Sequence, residues 1–251
     1  MAQPQTPVLQ VAGLTKCYHT KEAVKDLSFV VNPGEIVGLL GPNGAGKTTT
    51  MKTIVGLLRP TQGEVFIEGI SVLRDPVRAK RLLFFVPDSP SPFSSMTGLE
   101  YIRFVASAYG LPPRERQARV VSYLRELKLE NDLPRRVSGY SRGMKQKLVL
   151  VAAFMVRPRL LMLDEPVSGL DTLAIARLKS FLREHIEAGR SVLLSTHLMF
   201  LAEQLCDRLV ILSRGKLVTS GTMTAIRARS GDEQATLEEI FLEMTDDGRQ
   251  V

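Results

Sequence analysis

The segment Gly41-Pro42-Asn43-Gly44-Ala45-Gly46-Lys47-Thr48 matches the pattern G-x-x-x-x-G-K-[ST] at every fixed position. An apolar run, residues 36–40, precedes it. A helical stretch follows, with four apolar side chains expected to face inward: Met51, Ile54, Leu57 and Leu58. Glycines in such a loop let backbone N–H groups curl around phosphate oxygens, and the following helix points its positive end at them. The segment therefore predicts a nucleoside triphosphate site.

Within this loop, two side chains have predicted roles of their own. Lys47 is expected to bridge the β- and γ-phosphates, and the Thr48 hydroxyl is expected to ligate Mg²⁺. The predicted nucleotide-binding set runs from Gly41 through Thr49.

A second apolar run, residues 160–163, ends in the adjacent acids Asp164 and Glu165. Because side chains alternate along a strand, two consecutive acids at its end can take different tasks. Asp164 is expected to hold Mg²⁺, and Glu165 to orient and deprotonate an attacking water. A strand-ending acidic turn with no catalytic role is the alternative.

The chain alternates short apolar runs with helical stretches, which predicts an α/β fold. Buried parallel strands are expected at residues 34–40, 82–86, 160–163 and 191–195, and an antiparallel sheet at 8–31 and 63–70. The predicted architecture is a P-loop NTPase core with a mainly parallel sheet, an antiparallel β subdomain and an inserted α-helical subdomain.

The predicted domain plan treats residues 1–251 as one unit. The core with its β subdomain takes residues 8–90 and 158–220, the helical subdomain 97–157, and the C-terminal tail 221–251. Three prolines mark a loop at 87–95, and a hairpin is expected at 209–220 around Arg214-Gly215. A capping box, Thr236-x-x-Glu239, predicts a terminal helix whose apolar face carries Leu237, Ile240, Phe241 and Met244.

Composition narrows the class of protein. The 251 residues carry 33 Lys+Arg and 26 Asp+Glu, a formal charge of +7, and are 44% hydrophobic, which excludes a disordered or coiled-coil chain. The longest uncharged apolar run, residues 148–156, is too short to cross a bilayer. Residues 1–7 lack signal-peptide character, so a cytosolic location is expected. Cys17 and Cys206 suggest neither a disulfide framework nor a metal site.

Six ordered motifs over roughly residues 8–244 resemble the nucleotide-binding subunit of an ATP-binding cassette (ABC) transporter. They are the Walker A loop at 41–48, the Walker B strand at 160–164, the signature YSRGMKQKL at 140–148, the D-loop SGLD at 168–171, the switch histidine His197 and the aromatic residue Tyr18. Without the resemblance, residues 140–148 predict only a helix capped by Ser141, with Gly143 exposing a backbone N–H.

The resemblance implies ATP as the nucleotide and a head-to-tail dimer. Each ATP would lie between one chain's Walker A loop and the other chain's signature, at Ser141 and Gly143. His197 would contact the γ-phosphate, and Tyr18 would stack on adenine. A structural histidine and a surface tyrosine on the sheet are the alternatives for these two residues.

Two residues depart from the family pattern. Asp88 stands where the family usually has glutamine, after the strand at 82–86, and puts coupling through that loop in doubt. As an acid it is still expected to reach Mg²⁺ or water. Arg142 replaces the middle glycine of the signature and adds a charge near the expected γ-phosphate.

The resemblance predicts an ATPase that powers transport through a separate transmembrane permease, gripped around residues 87–109. The signature and the tail segment LEEIFLEMT are most similar to bacterial export systems, so export is favoured over import. The expected partners are this permease and a second copy of the chain, with a heterodimer left open. No nucleic-acid partner is expected, and the expected location is the cytoplasmic face of the cell membrane.

Two other functions compete with this interpretation. A soluble ABC-type ATPase acting on nucleic acid or ribosomes would suit the basic charge. A small-molecule kinase would use the same phosphate loop but gives no reason for residues 141–144 or for His197. The transported substrate has no signal in the sequence.

Overall fold

The computed structural model describes residues 6–232 and 234–246, and of residues 244–246 it describes the backbone alone. Expectations that concern residues 1–5, residues 247–251 or the side chain of Met244 lie outside the described residues. Two sheets and a set of helices make up the described part, which confirms the predicted α/β class.

The larger sheet has six strands in the order β10-β9-β3-β8-β7-β6. Its strands are β3 (Ile36–Leu40), β6 (Leu83–Val86), β7 (Leu160–Asp164), β8 (Ser191–Thr196), β9 (Arg208–Ser213) and β10 (Lys216–Gly221). Five of them run parallel and β10 is antiparallel to β9, so the predicted parallel core and the predicted hairpin are both confirmed. The carboxyl ends of β3, β7 and β8 therefore meet at one edge.

The second sheet is antiparallel, as predicted, with the order β2-β1-β4-β5. Its strands are β1 (Leu9–Tyr18), β2 (Lys21–Val31), β4 (Gln62–Ile67) and β5 (Ile70–Ser71). Apolar residues of β1 and β2 share one buried cluster with Val37 and Leu39 of β3 and with Met51. This cluster fixes the phosphate loop between the two sheets.

Nine helices lie within the described residues: α1 (Lys47–Ile54), α2 (Pro76–Leu82), α3 (Gly98–Ala108), α4 (Pro113–Glu126), α5 (Arg142–Val156), α6 (Thr172–Glu187), α7 (Met199–Leu205), α8 (Met223–Ser230) and α9 (Leu237–Asp246). Among them, none combines the length and apolarity needed to span a membrane. The apolar run at 148–156 is buried on all sides because α5 packs against both α3 and α4 and the core helix α6.

The predicted inward face after the phosphate loop is wrong at one residue. Met51 and Ile54 are fully buried, but Leu57 is 63% exposed. The helix α1 ends at Ile54, and the backbone reverses at Gly56 with φ 71°, so Leu57 no longer follows the helical period. It lies instead on the surface beside β6, where it lines an apolar depression.

The capping box at the start of α9 is confirmed. The Thr236 backbone N–H donates to Glu239 Oε2 at 2.7 Å, and the Glu239 N–H donates to Thr236 Oγ1 at 3.2 Å. Leu237 and Ile240 are fully buried against residues of β9 and α7, so the helix docks at the β9 end of the parallel sheet.

Candidate functional site

A cavity of about 640 Å³ opens at the carboxyl edge of the parallel sheet. Its lining includes most of the predicted site: Tyr18, residues 42–49, Asp88 and Glu165. These residues come from β1, the loop before α1 with the first turn of that helix, the loop after β6 and the end of β7. The fold therefore gathers four separate sequence segments around one space.

The phosphate loop takes its shape from the close approach of neighbouring backbone. Gly46 has φ 104°, and a Cβ atom there would lie 2.7 Å from the Ala23 carbonyl oxygen of β2, so glycine is required. Gly46 is also the N-cap of α1, and no side chain caps this helix. The first-turn N–H groups thus stay available to an anion in the cavity.

Lys47 lies beneath the loop. Its Nζ donates to the Gly41 carbonyl oxygen at 2.6 Å and to that of Pro42 at 3.3 Å, and the residue is 93% buried. Burial lowers the pKa of Lys47, while the nearby carboxylates of Glu165 and Asp164 oppose that shift. The ammonium group is therefore held close to the paired acids of β7.

The two acids occupy different environments, as predicted for consecutive residues. Asp164 is buried, and Ser195 Oγ of β8 donates to its Oδ1. Glu165 leaves the strand with a left-handed φ of 48°, a strained conformation for a residue with a side chain. This turn carries the Glu165 side chain out of the strand and into the cavity.

The Glu165 carboxylate is held by the end of β8. Thr196 Oγ1 donates to Oε2 at 3.2 Å, and His197 Nδ1 lies 2.9 Å from Oε1. His197 itself is more than half exposed and does not line the cavity. The predicted contact of His197 with the γ-phosphate stays a prediction, and in the structure the His197 imidazole contacts the Glu165 carboxylate.

The oxygen donors predicted for Mg²⁺ are Thr48, Asp164 and Asp88. Thr48 is exposed and lines the cavity. Asp88, in the segment that follows β6, also lines the cavity. Within the described residues, no group of three or more His, Cys, Asp or Glu converges as a cage for a metal ion. Mg²⁺ usually uses only one or two carboxylates with substrate phosphates, so this all-oxygen set fits it.

The signature residues lie apart from this cavity. Ser141 Oγ accepts the Met144 N–H at 3.2 Å, which confirms the predicted N-cap of α5. A Cβ on Gly143 would lie 2.5 Å from the Gly169 carbonyl oxygen, so only glycine lets α5 sit this close to the loop after β7. Neither Ser141 nor Gly143 lines the cavity, and their predicted contact with phosphate stays a prediction.

Tyr18 stands at the rim of the cavity and is 43% exposed. Lys16 Nζ lies 5.2 Å from the centroid of its ring. A half-exposed aromatic ring at the mouth is suited to stacking on a planar base. The predicted adenine contact is compatible with this placement and stays a prediction.

Five cavity-lining residues were not predicted: Lys21, Glu22, Ala23, Arg214 and Gly215. The turn of the β9–β10 hairpin reaches the phosphate loop because the Gly215 N–H donates to the Ala45 carbonyl oxygen at 3.1 Å. Arg214 makes no ion pair with any residue of the described chain. Its position depends on pairing between distant strands, and the only local signal was the turn itself.

A phosphate loop between a buried strand and an uncapped helix, with two adjacent acids at the end of another parallel strand of the same sheet, defines an ATPase of the P-loop class. A sequence model of the family described as ABC transporter matches residues 24–168. The chain belongs to this family, and it is an ATP-binding and ATP-hydrolysing subunit of the ABC transporter type.

Several known proteins are similar to this chain over most of its length. The ABC-type transporter ATP-binding protein EcsA of Bacillus subtilis (strain 168) is 37% identical, covering 95% of this chain and 96% of EcsA. The SkfA peptide export ATP-binding protein SkfE of the same organism is 36% identical, and the match covers 84% of this chain and 87% of SkfE. A solved structure described as the ATP binding subunit of an ABC transporter is 39% identical with a TM-score of 0.92, covering 95% and 99%. These relatives support a transporter ATPase rather than an ATPase acting on nucleic acid.

Proposed function

We propose that this chain powers export through a separate transmembrane permease by hydrolysing ATP at the cavity described above. The observation that carries the hydrolytic role is the Glu165 carboxylate, which enters the cavity and is held by both Thr196 and His197. The similarity to SkfE, whose name describes peptide export, favours the export direction.

In the proposed mechanism the chain binds ATP along the cavity from Tyr18 to Glu165. Tyr18 stacks on the adenine ring, and the N–H groups of residues 42–49 with Lys47 bind the phosphates. Thr48, Asp164 and Asp88 are the residues that would hold Mg²⁺, which neutralises phosphate charge when bound. Glu165 accepts the proton of the attacking water, and His197 keeps its carboxylate oriented.

The proposed working unit is a dimer. The cavity contains no residue of the signature, whose Ser141 and Gly143 lie at the start of α5. A second copy, turned head to tail, would bring these residues to the phosphates and complete both sites. A helix N-terminus with a free backbone N–H suits a phosphate oxygen. A related but different chain in the second position would satisfy the same geometry.

The proposed permease contact is an apolar groove on both sides of β6. Two depressions of about 270 and 220 Å³ share Phe84 and Phe85. Phe93 and Phe104 pack edge to face at 5.2 Å and are 53% and 45% exposed. This aromatic surface is formed by the proline-rich loop and α3, within the range 87–109 predicted to grip the permease.

The remaining predictions belong to the same proposal. The chain is proposed to act as a single ATP-binding unit, with core residues 8–90 and 158–220, a helical insertion at 97–157 and a tail from 221. We place it on the cytoplasmic face of the cell membrane, held there by the permease. Its formal charge of +7 suits work beside an anionic lipid surface.

The proposal is tested by affinity purification of the tagged chain from detergent-solubilised membranes of its host. Recovery of a protein with several transmembrane segments is expected. Phe104→Ser should reduce that recovery at least fivefold. Leu217→Ser is the control, because Leu217 is similarly exposed but lies on β10, at the opposite edge of the sheet from β6. Recovery of ribosomes or DNA in place of a membrane protein would refute the transport role.

A further inference from the structure

The two residues that depart from the family pattern contact each other. Arg142 Nη2 lies 3.0 Å from Asp88 Oδ1. One opposite-charge pair therefore joins the loop after β6 to the first residue of α5. Among the described residues, Ser89 Oγ also donates to the Asp88 carboxylate, at 3.5 Å from Oδ2. The two departures are therefore one structural feature.

The same guanidinium nitrogen makes a second contact in the core. Arg142 Nη2 also donates to Ser168 Oγ in the loop after β7, at 2.7 Å. The Arg142 side chain lies over Gly169, where a Cβ would meet its Cγ at 3.5 Å. One nitrogen thus bridges the loop after β6 and the loop after β7.

Two other polar side chains in the first turns of α5 form hydrogen bonds with the second of these loops. Gln146 Nε2 donates to the Pro166 carbonyl oxygen at 3.1 Å, and Lys147 Nζ donates to Asp171 Oδ2 at 2.5 Å. Neither contact reaches the segment after β6. In this part of the chain, Arg142 is the side chain that links the start of α5 to Asp88 at the ATP cavity.

Folding stability does not explain the pair. Both side chains are about half exposed, and exposed ion pairs contribute little to stability. An arginine in the first turn of a helix also opposes the helix dipole, and α5 has no acidic residue in that turn to offset it. Asp88 supplies the missing negative charge from another element.

We infer that Arg142 is a positioning residue that acts through Asp88: the pair fixes the loop after β6 to the signature end of α5 and so sets the cavity for ATP turnover. Without Arg142, the Asp88 carboxylate would lie at the ATP cavity without the guanidinium that pairs with it. Without Asp88, Arg142 would be a free cation at the helix end. The two residues act as a unit, because each neutralises the charge of the other.

The test is a double-mutant cycle on the purified full chain, with Asp88→Gln, Arg142→Gln and the double variant. Each single change should lower kcat for ATP about threefold to tenfold, with KM changed less than about twofold. The double variant should be no slower than the slower single variant. Arg142→Lys keeps a cation that can reach both partners and should retain at least about half of kcat. Unchanged single variants, or effects that multiply in the double variant, would overturn the inference.

A second readout does not depend on turnover. Hydrogen exchange of backbone amides in residues 88–96 should be faster in Arg142→Gln than in the unmodified chain, because the loop has lost its tie to α5. Unchanged exchange there overturns the positioning role, whatever the kinetics show. Thermal unfolding of each variant checks that it is folded.

The matched control is the exposed ion pair of Arg177 and Glu126, whose charged atoms are 3.5 Å apart and which lies away from the cavity lining. Arg177→Gln and Glu126→Gln should leave kcat within about twofold and exchange at 88–96 unchanged. The inference rests on the ATPase activity and not on the proposed permease, since each readout uses the isolated chain. Its failure and the failure of the transport proposal are therefore distinguishable.

Discussion

Glu165 Oε1 lies 2.9 Å from His197 Nδ1, and the two residues follow neighbouring parallel strands, β7 and β8. Thr196 holds the other carboxylate oxygen from the same strand end as His197. The carboxylate is therefore oriented by β8 before any nucleotide arrives. Such preorganisation is what a general base needs, because a fixed proton acceptor loses little freedom during the reaction.

Glu165→Gln should abolish most turnover and leave ATP binding intact. The amide has the same size and can keep the contact with Thr196, but it cannot accept a proton from water. We expect kcat to fall at least about 100-fold, with ATP affinity within about threefold of the unmodified chain. In the presence of ATP, the Glu165→Gln variant should then accumulate as a dimer. Size-exclusion chromatography with light scattering measures the dimer fraction.

Glu187→Gln is the control for this substitution, because Glu187 is exposed at the end of α6 and does not line the cavity. Its kcat should be unchanged. Undiminished hydrolysis by Glu165→Gln would remove Glu165 from its proposed role.

His197→Ala should slow turnover less than Glu165→Gln does. The alanine removes the contact at Oε1 but leaves the Thr196 hydroxyl on Oε2, so the carboxylate is misoriented rather than lost. We expect kcat to fall about tenfold or more. In the double variant His197→Ala, Glu165→Gln, the loss should not exceed that of Glu165→Gln alone. Multiplying losses would show that His197 acts independently of the glutamate.

Lys47→Ala should weaken nucleotide binding. The ammonium is buried beneath the phosphate loop, and a charge-assisted bond to phosphate contributes about 1.5–3 kcal/mol. We expect the Kd for ATP to rise at least about tenfold, measured by calorimetry. Lys52→Ala is the matched control, since Lys52 is an exposed residue of the same helix. Equal ATP affinity in the two variants would contradict the assignment of the loop.

The phosphate loop, both acids and the parallel strands could be predicted because each depends on a short stretch of chain. Residues 36–48 and 160–165 contain their own strand and turn, so the local pattern was sufficient. Arg214 and Glu22 reach the cavity only through pairing of strands far apart in sequence, which no local pattern records. The contact between Asp88 and Arg142 spans 54 residues and was equally invisible, although each residue alone was recognised as unusual.

Arg214→Gln should lower ATP affinity, because it removes a cation from the wall of the cavity that receives the polyanionic phosphates of ATP. The hairpin turn should keep its place, since the bond from the Gly215 N–H to Ala45 uses backbone atoms only. We expect a rise in Kd of about threefold to tenfold that shrinks at high salt. Arg183→Gln is the control, because Arg183 is an exposed residue of α6 that does not line the cavity. Identical Kd values in the two variants would exclude Arg214 from binding.

His185 should make the protein less stable in mild acid. Burial, with the nearby charges of Arg190 and Arg157, lowers the pKa of His185 from 6.5 to about 4. Its Nε2 has no hydrogen-bond partner in the described chain. Between those two pH values the unfolded chain binds a proton at this residue that the folded chain excludes. The free energy of unfolding therefore falls as the pH drops below 6.5, and by pH 5 His185 should account for about 2 kcal/mol of the loss.

His185→Phe removes the titration and keeps an aromatic ring in the cluster with Phe154, whose ring centroid lies 6.2 Å from that of His185. Urea unfolding at pH 7 and at pH 5 gives the free energy of unfolding for both proteins, and every other titrating group cancels in the comparison. The unmodified chain should lose about 2 kcal/mol more than the variant on going from pH 7 to pH 5. The sign is fixed, because a lowered histidine pKa costs stability only on the acid side of 6.5. Parallel losses in the two proteins would mean that His185 takes up its proton without unfolding, through an opening of the packing around Phe154 and Phe181.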